Sequence, residues 1–214
     1  MATRSTAQAT SVTLVDFQQI HLALQYFKPQ GATSVVFSEL LAADGLIRSR
    51  NGLGDRTTAL GYVSVDPNSE PQRRFVHAAG VAGIAVDALE FRDTFVSIGT
   101  GSMESAGKPI STLSPPLSFA LGALAAKPSP SAVVFSGSFE LAYALGSFAG
   151  NNGKVVLAFW RSCIDQRFFA RDFFDRYDVG FVDLDSAEFG PILGLDRDVP
   201  SAPTRRKPVS SILF

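Results

Sequence analysis

Six short runs of apolar residues, rich in β-branched side chains, recur along the chain and alternate with segments of helical periodicity. The runs cover residues 12–15, 60–65, 84–89, 132–135, 155–159 and 179–182. Runs of about four to eight such residues are typical of strands that are buried in a sheet. Strands that alternate with helices pair in parallel through right-handed crossovers. The pattern therefore predicts a three-layer α/β/α fold around a central, mainly parallel sheet.

Helices are predicted near residues 20–27, 37–47, 71–81, 114–126, 138–148 and 166–174. Prolines and glycines fall between these segments and the strands, where they end one element and begin the next. Residues 92–113 are instead rich in Gly, Ser and Thr, with one β-prone stretch at 94–98. We predict a long loop there, a feature that in compact domains is usually functional or disordered.

The composition fits one domain with a large core. The 214 residues are 46% hydrophobic and 18% charged, as expected when helices cover both faces of a sheet. We place the domain at residues 12–190, after a disordered start at 1–11 and before a flexible tail at 191–214. The start lacks the apolar centre of a secretory signal, and no apolar run is long enough to span a membrane. The single cysteine, Cys163, fits a reducing compartment, so we expect a cytoplasmic protein.

The charge balance does not favour general nucleic-acid binding. The net charge is −1, whereas nucleic-acid-binding domains are usually basic overall or on one face. One basic and aromatic segment nevertheless leaves a local RNA contact open, through Arg161, Arg167 and Arg171 beside four phenylalanines at 168, 169, 173 and 174. The favoured alternative is an amphipathic helix with its phenylalanines in the core and its arginines in water.

The tail carries a basic triplet and then ends in three large apolar residues. These candidate partner-binding residues are Arg205, Arg206, Lys207, Ile212, Leu213 and Phe214. A flexible segment of this kind suits docking on a protein partner, and a tail without a partner is an equal alternative. The high hydrophobic content also leaves self-association as a homo-oligomer open.

Several polar residues lie where predicted strands end, and their order resembles a known family. Residues 12–16 (VTLVD) form a strand that ends in an acid, and residues 62–67 (YVSVDP) precede a helix that begins with Gln72 and Arg73. Residues 136–141 (SGSFEL) and the closing strand at 181–185 (FVDLD) follow later. Over residues 12–185 this order resembles the NYN domain, a PIN-like family of metal-dependent ribonucleases.

The resemblance implies an acidic site at the carboxyl edge of the sheet, and this chain departs from it. About four carboxylates in the family hold divalent cations that activate water against a phosphate. The matching positions here are Asp16, Ser118, Ser138 and Glu140, and Gln19, at an asparagine-like position, is a further candidate RNA-binding residue. Two acids are thus replaced by neutral hydroxyls, which leaves Asp16 and Glu140 as the metal ligands. We therefore expect no cofactor, or weakly bound Mg²⁺ or Mn²⁺.

Three functional hypotheses follow. The leading one is a non-catalytic or weakly active domain that binds RNA or protein. The second is a divalent-metal ribonuclease that relies on Asp16 and Glu140. The third is a structural subunit of a larger assembly, docked through its C-terminal tail.

Overall fold

The computed structural model describes residues 10–66, 68–90, 113–170 and 172–195, and these contain one six-stranded sheet. The strands are β1 Ser11–Asp16, β2 Thr58–Val65, β3 Ala85–Glu90, β4 Ser131–Phe135, β5 Lys154–Phe159 and β6 Gly180–Asp183. All five pairs of neighbouring strands are parallel, in the order β3-β2-β1-β4-β5-β6. The predicted parallel α/β fold is confirmed.

The strand order reverses between β1 and β4, which lie side by side in the centre of the sheet. Val15 in β1 pairs with Phe135 in β4, while Asp16 pairs with Tyr62 in β2. In open parallel sheets a crevice forms beyond the carboxyl ends of the strands at such a reversal, because the chains leaving the two strands diverge to opposite faces. Asp16 and Ser136 lie at this point.

Helices cover both faces of the sheet. The helices are α1 Phe17–Phe27, α2 Phe37–Arg50, α3 Glu70–Val81, α4 Ser114–Ala125, α5 Ala142–Gly150 and α6 Phe173–Tyr177. Rings of Phe17, Phe37 and Phe75 meet edge to face and join α1, α2 and α3. Helices α4, α5 and α6 pack side by side.

The core is centred on β1 and β4. Every residue of both strands is buried, as expected for central parallel strands that helices cover on both sides. Trp160, which follows β5, is also buried and packs against Phe27 and Phe159. Gly61 in β2 has no side chain because the ring of Phe17 occupies the space in which a Cβ would stand.

The helix predicted near residues 166–174 is wrong as a single element. A 3-10 helix at Gln166–Phe168 is followed by the short α6, and between them Asp172 adopts a left-handed conformation with φ 48°. The buried rings explain the break, because Phe168 and Phe173 are five positions apart and cannot share one face of an α-helix. The phenylalanines do lie in or against the core, as the favoured alternative proposed.

The described fold extends a little beyond the predicted domain at each end. Ser11 is the first residue of β1, and a 3-10 helix at Ala187–Leu193 buries Ile192 and Leu193. The Val36 N–H donates to the Ile192 carbonyl, which ties this last turn to the start of α2. The loop predicted at 92–113 falls outside the described residues apart from Leu113. Within the described ranges no helix is long and apolar enough to cross a membrane.

Candidate site at the carboxyl edge of the sheet

Asp16 ends β1 and is the N-cap of α1, so its carboxylate lies between the sheet and the helix. The Gln19 N–H donates to Oδ1 at 3.1 Å, which is the hydrogen bond of an N-cap. The Ser136 hydroxyl donates to Oδ2 at 3.0 Å. The residue is 0% exposed. Both carboxylate oxygens are therefore engaged by the protein's own donors, and neither reaches the surface.

This burial changes the acidity of the group. The pKa of Asp16 is raised from 3.8 to about 6, chiefly because burial penalises the charged form. Hydrogen bonds from the Gln19 N–H, the Ser136 hydroxyl and the Gln18 N–H act in the opposite direction and limit the rise. The negative charge of Glu140 raises the pKa further. At pH 7 the carboxylate is thus charged in a place that disfavours its charge.

Serine side chains continue the site away from Asp16. The Ser136 hydroxyl accepts a hydrogen bond of 3.3 Å from the Ser138 N–H, and the Ser138 hydroxyl lies 3.4 Å from that of Ser114 at the start of α4. Gly137 between them is required by packing, since a Cβ there would stand 2.5 Å from the ring of Phe159. The site is consequently a chain of neutral hydroxyls that ends in one buried acid.

The structure brings three of the four predicted site residues together. Glu140 lies on the 3-10 helix Phe139–Leu141 beside Ser138, with an exposed side chain whose charge acts on Asp16. Ser118 lies one turn further along α4 than Ser114, and it lines a hollow between α4 and α5. Ser114, which the sequence interpretation did not single out, is therefore the α4 hydroxyl that meets Ser138.

These residues do not fit a divalent cation. Mg²⁺ and Mn²⁺ take about six oxygen ligands, with charged carboxylates among them. Asp16 has no exposed oxygen, Glu140 is exposed, and the remaining side chains are neutral. Over the described part of the chain, no three His, Cys, Asp or Glu residues are grouped so that they could hold a metal ion. A cation could reach Asp16 only if Ser136 or the start of α1 moved.

The described residues that were predicted to contact RNA make contacts within the protein itself. Arg167 forms an ion pair of 2.7 Å with Asp165 and also lies over the ring of Phe139. The Arg161 guanidinium lies 4.6 Å from the ring centre of Phe169. Gln19 meets the site through its backbone N–H. Arg171 lies outside the described residues, as do the six candidate partner-binding residues of the tail.

A second polar cluster, which the sequence interpretation missed, lies at the opposite end of β1. Asp44 on α2 is fully buried and accepts hydrogen bonds from Thr13, Arg48 and Arg56. Arg48 also donates to Thr13 and to Ser11. The spacing of Asp44 and Arg48, four positions apart in a predicted helix, was the available signal. The cluster joins α2 to the start of the sheet and is far from the carboxyl edge.

Comparisons with protein-family models, with curated proteins and with solved structures found no match to this chain. The resemblance to the NYN domain therefore rests on the sequence segments described above and stays a prediction.

Proposed function

We propose that this chain is a PIN-like domain of the NYN type that has lost its catalytic metal site and acts as a protein-binding module. The observation that carries the proposal is the state of Asp16. Its two oxygens accept hydrogen bonds from Ser136 and from the start of α1, so the buried carboxylate presents no free oxygen to a cation. A cytoplasmic location belongs to the same proposal, since one cysteine allows no disulfide within the chain.

Protein is favoured over RNA as the ligand because of how the described charges are used. Arg50, Arg56, Arg74 and Arg167 are all in ion pairs with carboxylates, and the net charge of the chain is −1. Affinity for RNA comes largely from cations that neutralise phosphates, and these four arginines would first have to leave their carboxylate partners. The uncharged surface of α4 and α5 offers an apolar contact instead.

A cleavage assay tests the loss of catalysis. Single-stranded and structured RNA would be incubated at pH 8 with Mg²⁺ or Mn²⁺ and with the wild type, Asp16→Asn or Glu140→Gln. The exposed Asp175 provides a matched control as Asp175→Asn. We expect the same background from all four proteins. Cleavage by the wild type and the control that disappears in both site variants would instead establish a metal-dependent ribonuclease.

An RNA-binding titration tests the choice of ligand. We expect little retention of RNA by the wild type at about 0.15 M salt, and no steep change in affinity as the salt is lowered. Affinity that falls strongly with rising salt, and that Arg161→Ala weakens, would contradict the choice of protein over RNA.

A further inference from the structure

The outer surface of α4 and α5 is unusual because neither helix contains a charged residue. Their sequences are SPPLSFALGALA and AYALGSFAG. A helix at the surface of a domain normally presents charged or polar residues to water. Here the largest exposed side chains are Phe119 on α4, at 79%, and Tyr143 on α5, at 88%. We call this surface, formed by the exposed residues of α4 and α5, the α4–α5 face.

The α4–α5 face has recesses as well as projections. A hollow of about 230 Å³ lies between the two helices, where Gly122, Ala125 and Ala144 leave room beside Leu121. A second hollow, of about 440 Å³, lies between α5 and α6 and includes Arg176 at its border. The first hollow has no charged residue in its lining. It therefore suits an uncharged, aromatic or aliphatic side chain.

The absence of charge restricts what can cover the α4–α5 face. A face without charge requires a partner face that also has none, because a charged group buried there would lack a counterion. Two copies of this chain meet that requirement, and with a net charge of −1 each they repel one another little. A twofold axis would set the projections of each copy opposite the hollow of the other.

We propose that the chain forms a twofold homodimer through the α4–α5 face, with Phe119 or Tyr143 of each copy seated in the hollow between α4 and α5 of the other. This inference rests on the proposed protein-binding function and names a second copy as the partner. RNA cleavage and RNA binding are measured independently of association, so failure of the dimer and failure of the proposed function are distinguishable.

The size of the face sets the strength that we expect. The 12 residues of α4 extend over about 18 Å, and two adjacent helices span about 20 Å, which gives roughly 360 Å² in projection. A standard interface buries about 800 Å² of accessible surface on each partner. Aromatic side chains add to the projected area, since each buries about 150 Å² or more. The interface is thus small, and we expect the dimer to dissociate on dilution.

Sedimentation velocity of the full chain over a range of concentrations tests the proposal. The sedimentation coefficient of the wild type should rise with concentration, and Tyr143→Arg and Phe119→Arg should each raise the concentration of half-dimerisation at least tenfold. Val81→Arg is the matched control, because Val81 is 77% exposed on α3, outside the α4–α5 face. It should associate as the wild type does. Because all three positions are highly exposed, we expect melting temperatures like that of the wild type at concentrations at which the wild type is monomeric.

Three outcomes would overturn the proposal. The first is a wild type that stays monomeric at every concentration. The second is association that Val81→Arg weakens as much as Tyr143→Arg does. The third involves the chain's own C-terminal segment, which ends in Ile212, Leu213 and Phe214. If the wild type is monomeric and Leu213→Asp dimerises, the tail rather than a second copy occupies the α4–α5 face.

Discussion

Replacing Asp16 by asparagine is expected to stabilise the protein at neutral pH. The pKa of Asp16 is raised from 3.8 to about 6, so the folded state holds its proton more tightly than the unfolded state does. Below about pH 4 both states are protonated, and the burial of the charge has no effect on stability. Between about pH 4 and 6 the unfolded chain loses its proton first, and stability falls as the pH rises. Above about pH 6 the carboxylate is charged in both states, and the full cost of burying its charge lowers the free energy of unfolding.

The size of the effect follows from the shift. A rise of about two pKa units corresponds to about 3 kcal/mol of lost stability at pH 8. Asparagine has nearly the same shape and no charge. Its carbonyl can still accept from the Gln19 N–H, and its amide can donate to the Ser136 hydroxyl. We therefore expect Asp16→Asn to raise the free energy of unfolding by about 2–3 kcal/mol at pH 8 and by little at pH 4.

Urea denaturation at several pH values measures this difference. Trp160 is the single tryptophan and is buried, so its fluorescence reports unfolding directly. The control Asp175→Asn, at an exposed position, should differ little from the wild type at either pH. A variant Asp16→Asn that is less stable than the wild type at pH 8 would refute the reasoning. It would mean that the hydrogen-bond donors around the carboxylate, or a bound cation, favour its charged form by more than burial penalises it.

Further predictions concern the core. Asp44→Ala should cost about 3–5 kcal/mol by leaving the Arg48 guanidinium buried without its partner, and the double variant with Arg48→Met should recover part of that loss in urea denaturation. Gly137→Ala should cost about 1–3 kcal/mol because its Cβ meets a phenylalanine ring, whereas Gly80→Ala, in open space on α3, should be neutral or stabilising. The Cys163 thiol, whose pKa burial raises to about 12, should resist alkylation at pH 8 until the chain is unfolded, as mass spectrometry would show.

The fold could be predicted from sequence because its signals are local. Each strand is a short apolar run, and each turn contains residues that end one element and begin the next, so six strands and their order of appearance were visible. The predicted helix at 166–174 was wrong because it relied on composition rather than on spacing. The phenylalanines there follow the shape of the core, and Asp172 introduces a backbone conformation that no helical pattern indicates.

The state of the site could not be predicted in the same way. The resemblance placed Asp16 at the carboxyl edge of the sheet, yet whether its oxygens face solvent depends on Ser136, which is 120 positions away in the sequence. The choice of Ser118 over Ser114 depends on where α4 lies along its own axis relative to Ser138, because two serines one turn apart share a face and look alike in sequence. Contacts between distant segments decide both questions.

The proposal that a metal site has been lost also predicts how it would respond to repair. The Ser138 N–H donates to the Ser136 hydroxyl, which in turn donates to the Asp16 carboxylate. Ser138→Asp therefore adds a second acid to the same site as Asp16. Without a cation the two negative charges repel, and we expect a lower melting temperature than that of the wild type. Mg²⁺ or Mn²⁺ at about 100 times its dissociation constant would raise the free energy of unfolding of Ser138→Asp by about 2.7 kcal/mol. The wild type should not gain this stability, and neither should the control Ser38→Asp, at an exposed position. If the cation fails to stabilise Ser138→Asp, the carboxyl edge is not a former metal site, and if it stabilises the wild type equally, the site has not been lost.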